Sequence, residues 1–111
     1  METTPDDTPS EKSSPAGCPS DAVLRLLWGQ WKTHVIYILG AHGPQRFGAL
    51  RRTIAGISPK VLTQRLRELE ADGLVWREQA PTIPPEVTYG LTELGRQIHG
   101  VLQGFDAIAS R

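Results

Sequence analysis

Residues 56–72 read Gly-Ile-Ser-Pro-Lys-Val-Leu-Thr-Gln-Arg-Leu-Arg-Glu-Leu-Glu-Ala-Asp, and Gly73 follows. Ser58 suits an N-cap, because its side-chain oxygen can accept from a backbone N–H that the first turn leaves unpaired. Pro59 suits the first helical position, where its missing N–H costs nothing. Gly73 is a fitting stop, so the stretch predicts a helix over 58–72. At about 100° per residue, Leu62, Leu66 and Leu69 fall on one arc and face a core. Lys60, Thr63, Gln64 and Arg67 fall on the opposite arc.

Upstream, Phe47, Leu50 and Ile54 share a face of a shorter helix over 47–54, with Arg51 and Arg52 pointing away. Ala55-Gly56-Ile57 is the turn between the two. A further helix over 31–39 is apolar nearly all round through Val35, Ile36, Ile38 and Leu39, which predicts burial. Gly40, Gly43 and Pro44 are expected to end it. Before it, Ala22, Val23, Leu26 and Leu27 give a short apolar face. Downstream, residues 74–77 and 87–91 read as the strands of a hairpin around a stiff loop containing Pro81, Pro84 and Pro85. Thr92 can cap a last helix, in which Leu94, Ile98, Val101, Phe105 and Ile108 follow a heptad-like stripe. Helices joined by a short turn and followed by a hairpin describe a winged helix-turn-helix. The expected class is α+β, mostly α, with a two-stranded wing and a C-terminal dimerisation helix.

The chain has 111 residues, 12 Lys+Arg and 12 Asp+Glu, with a formal net charge of zero. That length suits one domain. Zero net charge argues weakly against nucleic acid, but its distribution reverses the reading. Residues 1–20 hold Glu2, Asp6, Asp7 and Glu11 against Lys12, so the rest of the chain is net positive. Between Asp21 and Glu68 there is no acidic residue, while Arg25, Lys32, Arg46, Arg51, Arg52, Lys60, Arg65 and Arg67 fall there. A stretch of one sign inside a folded region is the footprint of a polyanion-binding surface. Residues 1–19 are polar and poor in apolar side chains, and are expected to form a flexible acidic tail to a domain over 20–111.

The residues do not describe an enzyme. His34, His42 and His99 are scattered and lack matched acidic or cysteine partners, and nothing has metal-ligand spacing or a glycine-rich phosphate loop. No cofactor and no metal are expected. The N-terminus is acidic, unlike a secretory signal, and no apolar run approaches the roughly 18 residues a membrane span needs. No membrane partner is expected, and the cytoplasm is the expected location. One cysteine, Cys18, allows no internal disulfide.

From Cys18 to about Ile98 the chain resembles the HxlR-type winged-helix regulators, relatives of the MarR group. The resemblance rests on Cys18-Pro19, on Trp31 and the apolar helix after it, and on Arg46-Phe47 with Leu50-Arg51. It continues through Gly56-Ile57-Ser58, Leu62-Thr63-Gln64, Leu66, Leu69 and Gly73-Leu74-Val75, then residues 84–89 and residues 91–95. It implies a homodimeric transcription regulator, with first and last helices at the interface and one recognition helix per subunit in the major groove. Three positions depart from the usual pattern. Gln30 stands where a lysine precedes the tryptophan, Glu86 where a basic residue follows the wing prolines, and Thr88 where a glutamate precedes the wing tyrosine. A carboxylate is repelled by phosphate, so Glu86 weakens the expectation of a wing contact in the minor groove.

In this architecture the 58–72 helix is the reader. Lys and Arg suit guanine or phosphate, Gln suits adenine, and Thr suits the thymine methyl. Ser58, Lys60, Thr63, Gln64 and Arg67 are the candidate base contacts. Arg46, Arg51, Arg52 and Arg77 are the candidate phosphate contacts, and Arg65 flanks the core face and packs its stem. Val23, Leu27, Leu94, Ile98, Val101, Phe105 and Ile108 are the candidate dimer interface. A dimer implies double-stranded DNA with a near-palindromic site. Repression is the favoured sign of control. Cys18 lies at or beside the first helix cap, where a helix dipole favours thiolate, and some members of the resembled family sense oxidants there. A small molecule between subunits, lined by Trp28, Trp31, Tyr37 and Phe105, is the alternative signal. The rival function is a winged helix that binds protein and not DNA.

Overall fold

The computed structural model describes residues 19–110. Helices α1 (Ser20–Leu26) and α2 (Lys32–His42) lead to a short strand β1 (Gln45–Arg46), which runs directly into α3 (Phe47–Thr53). Helix α4 (Pro59–Ala71) follows, then the hairpin β2 (Val75–Ala80) and β3 (Glu86–Leu91), then α5 (Glu93–Ala109). The fold is mostly helical, with a small antiparallel sheet. The expected two-stranded wing has a third strand: β1 pairs with β3, giving the order β1-β3-β2. Gln45 lies opposite Tyr89 and Arg46 opposite Thr88, while Val75 to Ala80 pair with Leu91 to Glu86.

The ends of α4 form as their residues dictate. Ser58 is extended and its Oγ accepts from the Val61 N–H at 3.1 Å, with Pro59 opening the helix. At the other end Gly73 takes φ 79°. Its N–H donates to the Glu70 carbonyl at 3.0 Å, and the Leu74 N–H donates to the Leu69 carbonyl at 2.9 Å. These two bonds make a Schellman cap, completed by apolar contact between residues such as Leu69 and Leu74, both fully buried. The cap turns the chain from α4 into β2.

One core holds the elements together. It joins Val35, Ile36 and Leu39 of α2, Leu50 and Ile54, the α4 leucines Leu62, Leu66 and Leu69, and Leu74, Val75, Leu91 and Ile98. Leu66→Ala would cost roughly 2–5 kcal/mol through lost transfer energy and an unfilled cavity. Thr92 ties α5 to the end of α4: its Oγ1 accepts from the Gly95 N–H at 3.1 Å and donates to the Gly73 carbonyl at 2.6 Å. Gly95 permits that approach, because a Cβ there would lie 2.2 Å from the Leu74 carbonyl oxygen.

Several boundaries differ from the sequence reading. Helix α2 passes through Gly40 and ends at Gly43. Gly40 is a contact and not a stop: a Cβ on it would come within 2.3 Å of the His99 ring on α5. Strand β2 runs three residues beyond Arg77, and Glu86 is the first residue of β3, paired with Ala80, so it lies at the base of the loop tip.

Candidate nucleic-acid interface

The outward arc of α4 is arranged as its spacing predicts. Lys60, Gln64 and Arg67 are exposed and Thr63 is half-buried. With Pro59 they line one shallow groove. Ser58 is exposed, but its oxygen already serves the cap. Thr63 Oγ1 donates to the Pro59 carbonyl at 2.8 Å, which leaves its methyl and lone pairs for an outside partner.

Beneath this arc lies a polar cluster that the sequence reading missed. Glu68 Oε1 pairs with Arg65 Nη1 at 3.0 Å and with Lys32 Nζ at 3.6 Å. Glu68 Oε2 accepts from Gln64 Nε2 at 3.3 Å. Arg65 Nε also donates to the Gln30 carbonyl at 2.7 Å, so Arg65 uses its head group and not only its stem. Burial raises the Glu68 carboxyl pKa, but the hydrogen bonds from Arg65 and Gln64 and the nearby cations outweigh it and hold it below its ordinary value. Lys32 is buried here and belongs to this cluster, not to the outer basic surface. It sits just after Trp31, whose φ of 79° is left-handed. That conformation costs a bulky residue about 1 kcal/mol or more. The Trp31 ring packs against the core and its carbonyl accepts from the Val35 N–H at 3.0 Å, which offsets the cost.

The candidate phosphate contacts separate into two kinds. Arg51 and Arg52 are exposed in the last turn of α3, where the helix dipole favours cations. Like Lys60 and Arg67, they form no ion pair among the described residues. Arg77 is exposed on β2, donates to Gln79 Oε1 at 3.3 Å, and borders a second groove with Thr63, Arg67, Glu70 and Tyr89. Arg46 differs: its Nη2 lies 2.7 Å from Glu86 Oε1, so its charge is already matched.

The candidate interface residues also divide. Val23, Leu94, Val101, Phe105 and Ile108 are exposed apolar side chains. Ile98 is a correction: it is 4 % exposed and lies in its own subunit's core. Its position on the stripe faces α2, which the spacing alone does not distinguish from an outward position. Leu27 is half-buried against the same core. Trp31, His34, Tyr37, Ile38, Ile54 and Phe105 line a cavity of about 530 Å³ between α2, the α3–α4 turn and α5. Trp28 is exposed and lies outside it. Cys18 lies outside the described residues. Among the described residues no cluster of His, Cys, Asp or Glu has the makings of a metal site, and no helix is long and apolar enough to cross a membrane.

Helices α3 and α4 with the turn between them, and the sheet beside them, define a winged helix-turn-helix. The family described as HxlR-like helix-turn-helix matches residues 26–111, and the chain belongs to it. The HTH-type transcriptional regulator YybR of Bacillus subtilis is 42 % identical over 86 residues, covering 78 % of this chain and 68 % of YybR. The structure of a MarR-family transcriptional regulator of Porphyromonas gingivalis W83 superposes with a TM-score of 0.80 at 31 % identity, covering 91 % of this chain and 98 % of that one. The redox regulator HypR in its reduced form superposes with a TM-score of 0.75 at 38 % identity, covering 81 % of this chain and 88 % of HypR. The family and these relatives are transcriptional regulators and not enzymes.

Proposed function

We propose that this chain is a sequence-specific DNA-binding repressor, acting in the cytoplasm as a homodimer with α4 in the major groove. The observation that carries the reading is the α4 groove, which Lys60, Gln64 and Arg67 line beside Thr63 and Pro59 with no acid in its wall. Lys60, Thr63, Gln64 and Arg67 reach base edges, and the Ser58 hydroxyl contacts the groove from the cap. Arg51, Arg52 and Arg77 hold phosphates, and Arg46 joins them on leaving Glu86. The domain spans 20–111, and the expected acidic tail, but for Pro19, lies outside the described residues. The exposed faces of α1 and α5 join two subunits, so the operator is near-palindromic with half-sites about one helical turn or more apart.

Binding titrations at several salt concentrations test this. Arg51→Ala weakens all sequences and flattens the salt slope by about 0.9. Lys60→Ala changes which sequence is preferred. Affinity independent of salt in the unmodified protein favours a protein-interaction module instead.

The signal in this reading is thiol oxidation or alkylation at Cys18. Relatedness to a redox regulator supports it. A Cys18 thiol pKa well below the unperturbed ~8.5 is expected, and a value at ~8.5 contradicts a tuned sensor. The aromatic cavity favours a second reading, a small apolar ligand held beside the α3–α4 turn. Calorimetry against aromatic compounds separates the two.

A further inference from the structure

Gln64 does not stand free on the recognition helix. Its Nε2 donates to Glu68 Oε2 at 3.3 Å, one turn further along α4. Glu68 is itself held from the inner side, by Arg65 at 3.0 Å and by the buried Lys32 at 3.6 Å. Arg65 is fixed in turn to the Gln30 carbonyl at 2.7 Å. The carboxylate therefore has one oxygen anchored inward and one directed at Gln64.

A primary amide has two N–H donors and one carbonyl acceptor. With one N–H engaged by Glu68, Gln64 retains one N–H and its Oε1. Adenine in the major groove presents one acceptor, N7, and one donor, N6. The two sets match. An anchored amide also gives up less rotamer freedom on binding than a free glutamine.

We infer that Glu68 is a positioning residue for base recognition: it orients the Gln64 amide so that Gln64 reads adenine at one position of each half-site. The inference rests on α4 lying in the major groove. Glu68 touches no DNA.

The experiment measures affinity for a selected site and for its single base-pair substitutions, at two salt concentrations. The proteins are the unmodified chain, Gln64→Ala, Glu68→Gln, Lys32→Met, and the double variant Lys32→Met/Glu68→Ala. The double variant leaves no buried ammonium unpaired, so it is expected to fold. The unmodified chain prefers A·T at one position by about tenfold to a hundredfold. Gln64→Ala removes that preference. Lys32→Met/Glu68→Ala loses most of it at the same position and at no other. Lys32→Met alone keeps it, whereas Glu68→Gln loses it, because its one amide oxygen turns to Arg65 and Lys32 and its NH2 then faces the Gln64 donor. The inference is overturned if the double variant retains the preference, or loses affinity evenly across all sequences. If the unmodified chain shows no salt-dependent DNA binding, the DNA reading itself fails, and that outcome is distinct from either of the others.

Discussion

Arg46 and Glu86 meet across the sheet, with Arg46 Nη2 2.7 Å from Glu86 Oε1. Arg46 pairs in register with Thr88, so Glu86 is its diagonal neighbour on the same face of β3. Both side chains are largely exposed, and such pairs contribute about 1 kcal/mol or less to stability. The consequence of the pair is electrostatic. It neutralises the Arg46 cation.

Glu86→Gln is therefore expected to tighten binding to all DNA sequences, with little change in folding stability. Freeing one cation for a phosphate steepens the salt slope by about 0.9. Fluorescence anisotropy at several salt concentrations measures both. An unchanged slope contradicts a role for Arg46 at the backbone.

The close approach of α5 to the end of α4 makes Gly95 intolerant of a side chain. A Cβ there meets the Leu74 carbonyl oxygen at 2.2 Å, and that backbone atom also accepts from the Thr92 N–H at 3.0 Å. Gly95→Ala is expected to destabilise the fold by about 1–3 kcal/mol or more. Gly40→Ala is expected to cost less, because the atoms it meets are the His99 ring and not backbone. Urea unfolding of both variants checks the order.

Glu68 gives the stability a pH dependence of defined sign. Burial raises its pKa, but Arg65, Gln64 and Lys32 bring it below 4.5 in the folded chain. A lowered folded pKa means that the unfolded chain binds more protons over this window. The contribution is fully present above about pH 4.5 and is lost as pH falls through the lower folded value. Glu68→Gln should flatten the acid side of a plot of melting temperature against pH. An unchanged acid limb contradicts the cluster's role.

The division of the α5 stripe predicts two different failures. Ile98→Glu places a charge in the core and is expected to unfold the chain, since Ile98 is 4 % exposed. Phe105→Glu and Val101→Glu fall on exposed positions and are expected to leave the fold intact while giving monomers. Sedimentation at micromolar concentration with circular dichroism separates the two. A dimeric Phe105→Glu/Val101→Glu protein contradicts the α5 interface.

What was legible in the sequence was local. The Ser58-Pro59 start, the Gly73 stop and the leucine spacing of α4 are set by bonds within a few residues, and all appear as read. The outward arc follows from the same helix geometry, so Lys60, Thr63, Gln64 and Arg67 come together. Strand β1 was not legible, because two residues carry no period and its pairing with β3 joins distant parts of the chain. Gly40 reads as a stop because a glycine that admits a neighbouring ring looks the same, in sequence, as one that ends a helix. The Glu68 cluster was hidden for a related reason. Nothing in the spacing pairs Lys32 with an acid on α4, and counting both as members of a charge pattern conceals that each neutralises the other. Ile98 shares the stripe's spacing with residues that point outward, and only packing separates them.

DNA reading by the outward face of α4 is decided by selection of bound sequences from a random pool, with the unmodified chain and the triple variant Lys60→Ala/Gln64→Ala/Arg67→Ala. All three positions are exposed, so the variant is expected to fold. The unmodified chain is expected to enrich a near-palindromic motif and the variant none. Recovery of the same motif by both proteins would contradict a reading role for this face.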